Sequence, residues 1–230
     1  MIPDSKLLIV SLFLAAFILL VLSTITVPLN KSFYLLKFDL YDSGATKPTG
    51  RLEFGALGYC ILTYSSSSSF LGMFSKSQQT QCSSSTLGYT FDSTLLDLPN
   101  FSDAANVIPK DLTYALGILH PVALALSILA LLSFLAVYVR PGGRTWYVSA
   151  MAFGWTATAV GFAAFVVDYV FFQTAKSRVK KATGGTQGIE VGNAVWFTMV
   201  AWIALLAASV GTVGRSRERP GAPIPKDGIY

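Results

Sequence analysis

Charge, histidine and cysteine are all scarce in this chain of 230 residues. Charged residues make up 13%, histidine occurs once, as His120, and the two cysteines are Cys60 and Cys82. A single histidine excludes an H-E-x-x-H zinc site, and the chain contains neither a G-x-S-x-G elbow nor a G-x-x-x-x-G-K-[ST] phosphate loop. Gly142-Gly143 and Gly184-Gly185 read as turn glycines rather than phosphate cradles. The inventory therefore offers no catalytic, cofactor-binding or metal site, and a non-enzymatic role is expected. The net charge of +5 is modest for a chain this apolar and calls for no nucleic-acid partner.

Apolar residues are abundant instead: 53% of the chain, with a positive mean hydropathy, is too much for an ordinary soluble domain of this size. They are concentrated in four runs, Leu7–Val27, Tyr114–Val139, Trp146–Phe172 and Ala194–Val213. Each reaches the ~20 residues that a helix needs to cross a ~30 Å hydrocarbon core. Backbone groups find no water in that layer, so helices are expected. The apolar stretch of the first run is too long for a signal-peptide core and no clear A-x-A site follows, so an uncleaved anchor helix is expected. The fold class expected is an all-α four-helix membrane bundle carrying a small extracellular antiparallel β-sheet. Residues 1–27 form the first helix with a short cytoplasmic N-terminus, 28–113 the exterior module, 114–213 three further helices, and 214–230 a short disordered cytoplasmic tail.

Orientation follows from the basic residues of short loops. Lys6, Arg140, Arg144, Arg215, Arg217, Arg219 and Lys226 lie on one side; Lys176, Arg178, Lys180 and Lys181 lie on the other, on a loop read as solvated. Seven against four places both termini in the cytoplasm. The long loop agrees, because two cysteines and two sequons suit an oxidising, glycosylating compartment. Asn100-Phe-Ser is the better glycosylation site; Asn30-Lys-Ser lies at the membrane surface, where transferase access is poor.

Within the loop, Ser32–Phe38, Arg51–Tyr64 and Thr86–Phe91 are rich in aromatic and branched residues and are separated by turn-forming clusters, which predicts strands. Ser65–Ser69 and Ser83–Ser85 read as flexible connections. A Cys60–Cys82 bridge would close a loop of about 20 residues and contribute on the order of 3 kcal/mol; two reduced thiols, or one palmitoylated, are the alternative. Gly55 and Gly58 mark either tight packing beneath the bridge or a segment lying flat against the bundle or a partner.

His120 and Asp168 are the only ionisable side chains inside the four runs. Counting rises of 1.5 Å from the outer surface puts them at depths of roughly 10 and 6 Å. Such groups normally find a partner inside the bundle, so the two are expected to meet across the second and third helices, as a structural clasp or as a pH-responsive pair. Small residues at four-residue spacing, Ala150/Gly154, Ala157/Gly161, Ala204/Ala208 and Ala207/Gly211, suit close helix packing, within the bundle or against a partner helix.

Several segments, taken in order, resemble the fungal SUR7/PalI family of tetraspan proteins, relatives of the claudins. The exit of the first run, LLVLSTITVPLNKSFYLL with Pro28, is followed by Phe54-Gly-Ala-Leu-Gly-Tyr-Cys60, similar to an FG-x-x-GYC signature. Leu87-Gly-Tyr89 follows the second cysteine, Leu112-Thr-Tyr-Ala-Leu with Leu119-His-Pro121 opens the second run, and Gly192-Asn-Ala-x-Trp196 opens the fourth. Phe54, Gly55, Gly58, Tyr59 and Cys60 are the family-motif residues. The claudin tryptophan is absent, with Leu57 or Phe54 in its region, and the tail is shorter than in many PalI-type members. The resemblance implies a plasma-membrane accessory protein that assists a seven-span ambient-pH sensor in fungal pH-response signalling. A membrane-compartment organiser of eisosome type, linked to the cell wall, is the alternative, and a channel or transporter is a third. The partners implied are membrane lipids and an integral-membrane protein, either that sensor or scaffold proteins, with a homo-oligomer as a further arrangement.

Overall fold

Where water is absent a backbone must satisfy its own hydrogen bonds, and all four apolar runs do so as helices. The computed structural model describes residues 5–40, 48, 50–67, 75–89, 109–139, 144–182 and 188–217. The helices are α1 (Ser5–Thr24), α2 (Lys110–Val139), α3 (Arg144–Ala182) and α4 (Asn193–Arg217), each long and apolar enough to cross a membrane. Five strands complete the described residues: β1 (Leu36–Leu40), β2 (Gly50–Phe54), β3 (Tyr59–Ser67), β4 (Ser75–Cys82) and β5 (Ile189–Val191). The architecture is a four-helix membrane bundle with a small antiparallel sheet, as expected of a claudin-like protein.

Each helix packs on two others: α1 against α2 and α4, and α3 likewise against α2 and α4. Small side chains make this close approach possible. Ala130, Ala150, Ala157, Ala201, Ala204 and Ala208 are buried in one core with Phe13, Leu20, Phe134 and Leu205. Gly154 lies against Phe13 and Ser209, and Gly211 against Ile9. The Ala150/Gly154, Ala157/Gly161 and Ala204/Ala208 pairs thus lie inside the bundle, whereas Ala207 is exposed on its outside. Apolar side chains such as Leu14, Leu132, Phe162 and Ile203 remain exposed on the outside, where lipid is their solvent.

The sheet order is β4-β3-β2-β1-β5, with all neighbours antiparallel. Alternation along β1 sends Leu36, Phe38 and Leu40 inward while Lys37 and Asp39 face out. Leu52, Phe54, Tyr59 and Ile61 extend that inner face across β2 and β3, and Phe171, Phe172 and Ala175 of α3 close the core beneath it. Phe54 sits at its centre, its ring 5.6 Å from Phe38, 6.0 Å from Tyr59 and 6.4 Å from Phe171.

Several expectations need correction. α3 has 39 residues, roughly 58 Å at 1.5 Å per residue, nearly twice a hydrocarbon core. Lys176, Arg178, Lys180 and Lys181 therefore lie on a helical extension and not on a loop; packing of Ala175 against the sheet core holds this part of the helix in place. The strand expected from Ser32 starts only at Leu36, because Asn30 to Leu35 are turned back under the sheet. Arg51–Tyr64 is split in two at Gly55–Gly58. Thr86–Tyr89 is not a strand: Gly88 turns there with φ +67°, and Thr90 and Phe91 lie outside the described residues. Ser65, Ser66 and Ser67 belong to β3 rather than to a flexible link. β4 carries no apolar alternation and β5 is only three residues long, Ile189-Glu190-Val191; pairing to β3 and β1 makes them strands. Asn100 and residues 218–230 also lie outside the described residues.

Candidate functional site

The motif residues converge where the sheet sits on the bundle. α1 ends at Thr24, where the Ser23 and Thr24 hydroxyls donate to the Leu20 carbonyl, and a cis Val27–Pro28 bond follows. Thr26 Oγ1 then accepts the Ala56 N–H at 2.8 Å, and the Leu35 N–H donates to the Phe54 carbonyl at 2.7 Å. The β2–β3 turn is closed by the Gly55 N–H donating to the Gly58 carbonyl at 2.8 Å. A Cβ on Gly55 would overlap the Val27 carbonyl, so only glycine fits there. A Cβ on Gly58 would meet Ser83 Oγ at 2.6 Å and the Pro28 ring at 2.9 Å, a less severe overlap. The glycines therefore let the turn lie flat on the end of α1.

Cys60 and Cys82 pair directly across β3 and β4 and are disulfide-bonded, and Cys60 is fully buried. After the bridge, the chain is tied back by Ser83, whose Oγ accepts the Tyr59 N–H at 3.0 Å. The buried Tyr89 hydroxyl donates to the Gly55 carbonyl at 2.9 Å, and Thr113 Oγ1 donates to the Tyr89 carbonyl at 3.0 Å. Burial holds the Tyr89 phenol well above its ordinary pKa. These bonds link the second-cysteine segment to both the glycine turn and the first turn of α2. On the far side, the Asn193 side chain accepts the Tyr34 N–H at 3.2 Å and donates to the Ser32 carbonyl at 3.0 Å. A Cβ on Gly192 would overlap the Tyr34 carbonyl. Asn30 Oδ1 accepts the Ser32 N–H at 2.9 Å, which places that sequon in a tight turn.

Below the seam, α2, α3 and α4 bring three polar side chains together. His120 Nε2 lies 3.4 Å from Asp168 Oδ2 and 3.4 Å from Thr198 Oγ1, and all three residues are fully buried. His120 Nδ1 is 3.0 Å from the Leu116 carbonyl, which can only accept, so Nδ1 carries a proton. Thr198 Oγ1 donates to the Ala194 carbonyl at 3.1 Å and offers Nε2 its lone pairs. Nε2 thus faces both the Thr198 hydroxyl and the Asp168 carboxyl, at a distance that forms an ion pair when the ring is protonated. Neither Asp168 oxygen has a hydrogen-bond partner among the described residues. Thr198 was not singled out in the sequence, where a hydroxyl in an apolar run carries no signal until three helices meet.

The ordered motifs and their shared position decide the family question. The model of the SUR7/PalI family matches residues 5–213. The chain belongs to the SUR7/PalI family. Its motifs, seen in place, include the fastenings of the sheet of this SUR7/PalI protein: the first-helix exit, the FG-x-x-GYC turn, LGY and the GNA element bond or pack at one seam, while His120 of the LHP element joins α2 to α3 and α4 below it. A search of curated proteins found no match.

The outer face of the sheet has different chemistry. Lys37 Nζ is 2.8 Å from Glu190 Oε2 and Arg51 Nε is 3.1 Å from Asp39 Oδ1. The hydrogen bond with Glu190 raises Lys37 above its ordinary pKa and lowers Glu190 below its own. Glu53, between Lys37 and Cys60 in the cross-strand row, is buried, and burial pushes its carboxyl up despite Arg51 and Lys37 nearby. β3 and β4 continue past β2 as a two-stranded ribbon, from Tyr64↔Gln78 to Ser67↔Ser75.

Proposed function

We propose that this SUR7/PalI protein is a non-enzymatic accessory of the plasma membrane, with both termini cytoplasmic, that assists a multi-span ambient-pH sensor. The observation that carries the reading is the seam. Four of the motifs seat a disulfide-bonded sheet on a helix bundle, which is the construction of a display platform. The outer sheet face and the β3–β4 ribbon are then the recognition surface. Buried hydroxyls in the bundle favour a structural over a transport role: Ser127, Thr158, Thr198 and Thr212 each donate to a carbonyl of their own helix. His120 and Asp168 act in this reading as a clasp for α2 and α3.

Mild-detergent capture of the tagged full chain followed by mass spectrometry tests the proposal. Co-purification of a seven-span sensor, lost when Lys37 and Arg51 are both changed to Glu, supports it. Recovery of furrow scaffold proteins in place of a sensor would point to the compartment-organising role and sink the sensor reading.

A further inference from the structure

The two edges of the sheet differ. β5 is three residues long, and a very short strand is an ordinary way of blunting an open edge. β4 has eight residues and no neighbour on its outer side among the described residues. Its sequence, Ser75-Lys-Ser-Gln-Gln-Thr-Gln-Cys82, holds no proline and no carboxylate, and its single charged residue, Lys76, lies near one end. The register with β3 runs without a bulge, and Gln79, Gln81 and Cys82 are exposed. Nothing in β4 itself therefore discourages pairing with a further strand.

The phase of the ladder says which main-chain groups face outward. The Ser83 N–H donates to the Tyr59 carbonyl at 2.9 Å, and antiparallel pairs alternate between bonded and non-bonded. In the register of the two strands, Gln81, Gln79, Ser77 and Ser75 then bond inward to β3. Cys82 opposes Cys60 as a non-bonded pair, and their close Cα–Cα separation of 4.0 Å agrees. Lys76, Gln78, Thr80 and Cys82 therefore turn their main-chain N–H and C=O groups outward, as a template for one more strand.

We propose that this edge pairs antiparallel with the β4 edge of a second copy of the chain, across a two-fold axis at Gln79. That register sets Gln78 against the copy's Thr80 and Lys76 against its Cys82, so all four outward residues take part. The two Lys76 residues then stand roughly 20 Å apart along the strands, beyond the ~10 Å screening length, and no like charges meet. Symmetry favours a second copy over another protein. Antiparallel strands pair across a two-fold, and upright copies in one bilayer are related by a two-fold along its normal. The inner face of the sheet looks onto the bundle through Leu116, Phe171 and Ala194, so the two axes can coincide. Each copy holds its sheet to its bundle by the same bonds, Ala56 to Thr26 and Tyr89 to Gly55, which puts both edges at one height. The proposal goes beyond the accessory reading: the ribbon's edge takes a second copy, and the outer face with Lys37 and Arg51 is left to the sensor.

Disulfide trapping tests the register. The full chain alone, reconstituted in phosphatidylcholine vesicles, is mildly oxidised and run on non-reducing gels; no sensor is present, so the outcome is read apart from the accessory role. At the axis, Gln79 faces its own counterpart as a non-bonded pair with Cα atoms about 4.5 Å apart, within disulfide reach. Gln79→Cys should therefore give a cross-linked dimer. Gln81 is also exposed and lies nearer the native bridge, which controls for thiol exchange. The two Gln81 residues would be roughly 13 Å apart, so Gln81→Cys should give about tenfold less dimer. Thr80→Pro removes an outward donor and leaves the bonds to β3, and it should lower the Gln79→Cys dimer about fivefold. Absence of a Gln79→Cys dimer, an equal Gln81→Cys dimer, or an undiminished dimer in the proline variant overturns the pairing. In cells, cross-linking of Gln79→Cys to a different protein in place of a second copy also overturns it. The two cysteine variants decide if the Thr80→Pro protein fails to fold.

Discussion

Removing one member of the His120–Asp168 pair should cost far more than removing both. At 3.4 Å and an effective dielectric constant of ~20, two unit charges attract by about 5 kcal/mol. Much of that is offset by desolvation, so the net value of the pair is small. His120→Ala, however, leaves the Asp168 carboxylate in an apolar core without a counter-charge, at a cost of about 3–5 kcal/mol. Asp168→Ala strands the imidazolium with a similar penalty. The double variant removes both charges and pays mainly for the cavity, about 2–3 kcal/mol, so the coupling should exceed ~2 kcal/mol. Asp168→Asn should be milder than Asp168→Ala, because it keeps the side-chain volume and removes only the charge. Unfolding in mixed micelles of increasing SDS content, followed by tryptophan fluorescence, measures all four proteins. Additive penalties within about 0.5 kcal/mol would refute the pairing. In cells, His120→Gln should leave pH signalling unchanged over the whole range; a shifted response would replace the clasp with a sensor.

Tyr89→Phe deletes the donor to a buried carbonyl at the centre of the seam, and a loss of about 1–3 kcal/mol is expected in the same micelle titration. Cys60→Ser/Cys82→Ser frees a loop whose ends are 22 residues apart, about 3 kcal/mol in the chain-entropy account; faster amide exchange in β3 and β4 than in α2 would check it. Glu53 sets a pH dependence with a definite sign. Its folded carboxyl is held above its ordinary value of 4.5, so its contribution is fully present below that pH and is lost as pH rises through the raised value. Glu53→Gln should therefore stabilise the protein near neutral pH and not near pH 4, and melting curves at the two pH values that show no difference would contradict the assignment. Glu190 behaves oppositely: held low by Lys37, it contributes above 4.5 and loses that contribution as pH falls.

How far the fold was legible depends on how local its causes are. Leu36, Phe38 and Leu40 alternate visibly, but Ser32–Tyr34 look just as strand-like, and they are turned aside by bonds to Val27 and Asn30 and by bonds to Asn193 and Ala194, far along the chain. Ser75–Cys82 offers no apolar face to read, yet it is a strand because β3 supplies its ladder. The lysines that follow Phe172 read as the end of the third span; the helix continues because Ala175 packs into the core under the sheet. The motif residues were visible as a pattern, and their purpose was not.

The amino-acid sequence alone determined the number and place of the spans, the loop that carries most of the sheet, the pair of cysteines and the family. Those follow from hydropathy over ~20 residues and from short motifs, both local properties. Only the tertiary structure decided which face of the sheet meets the bundle, that the motif glycines fit against Val27 and Tyr34, and that Thr198 joins His120 and Asp168. Each of these is a contact between segments distant in the chain, and close packing, which no local pattern encodes, selects them.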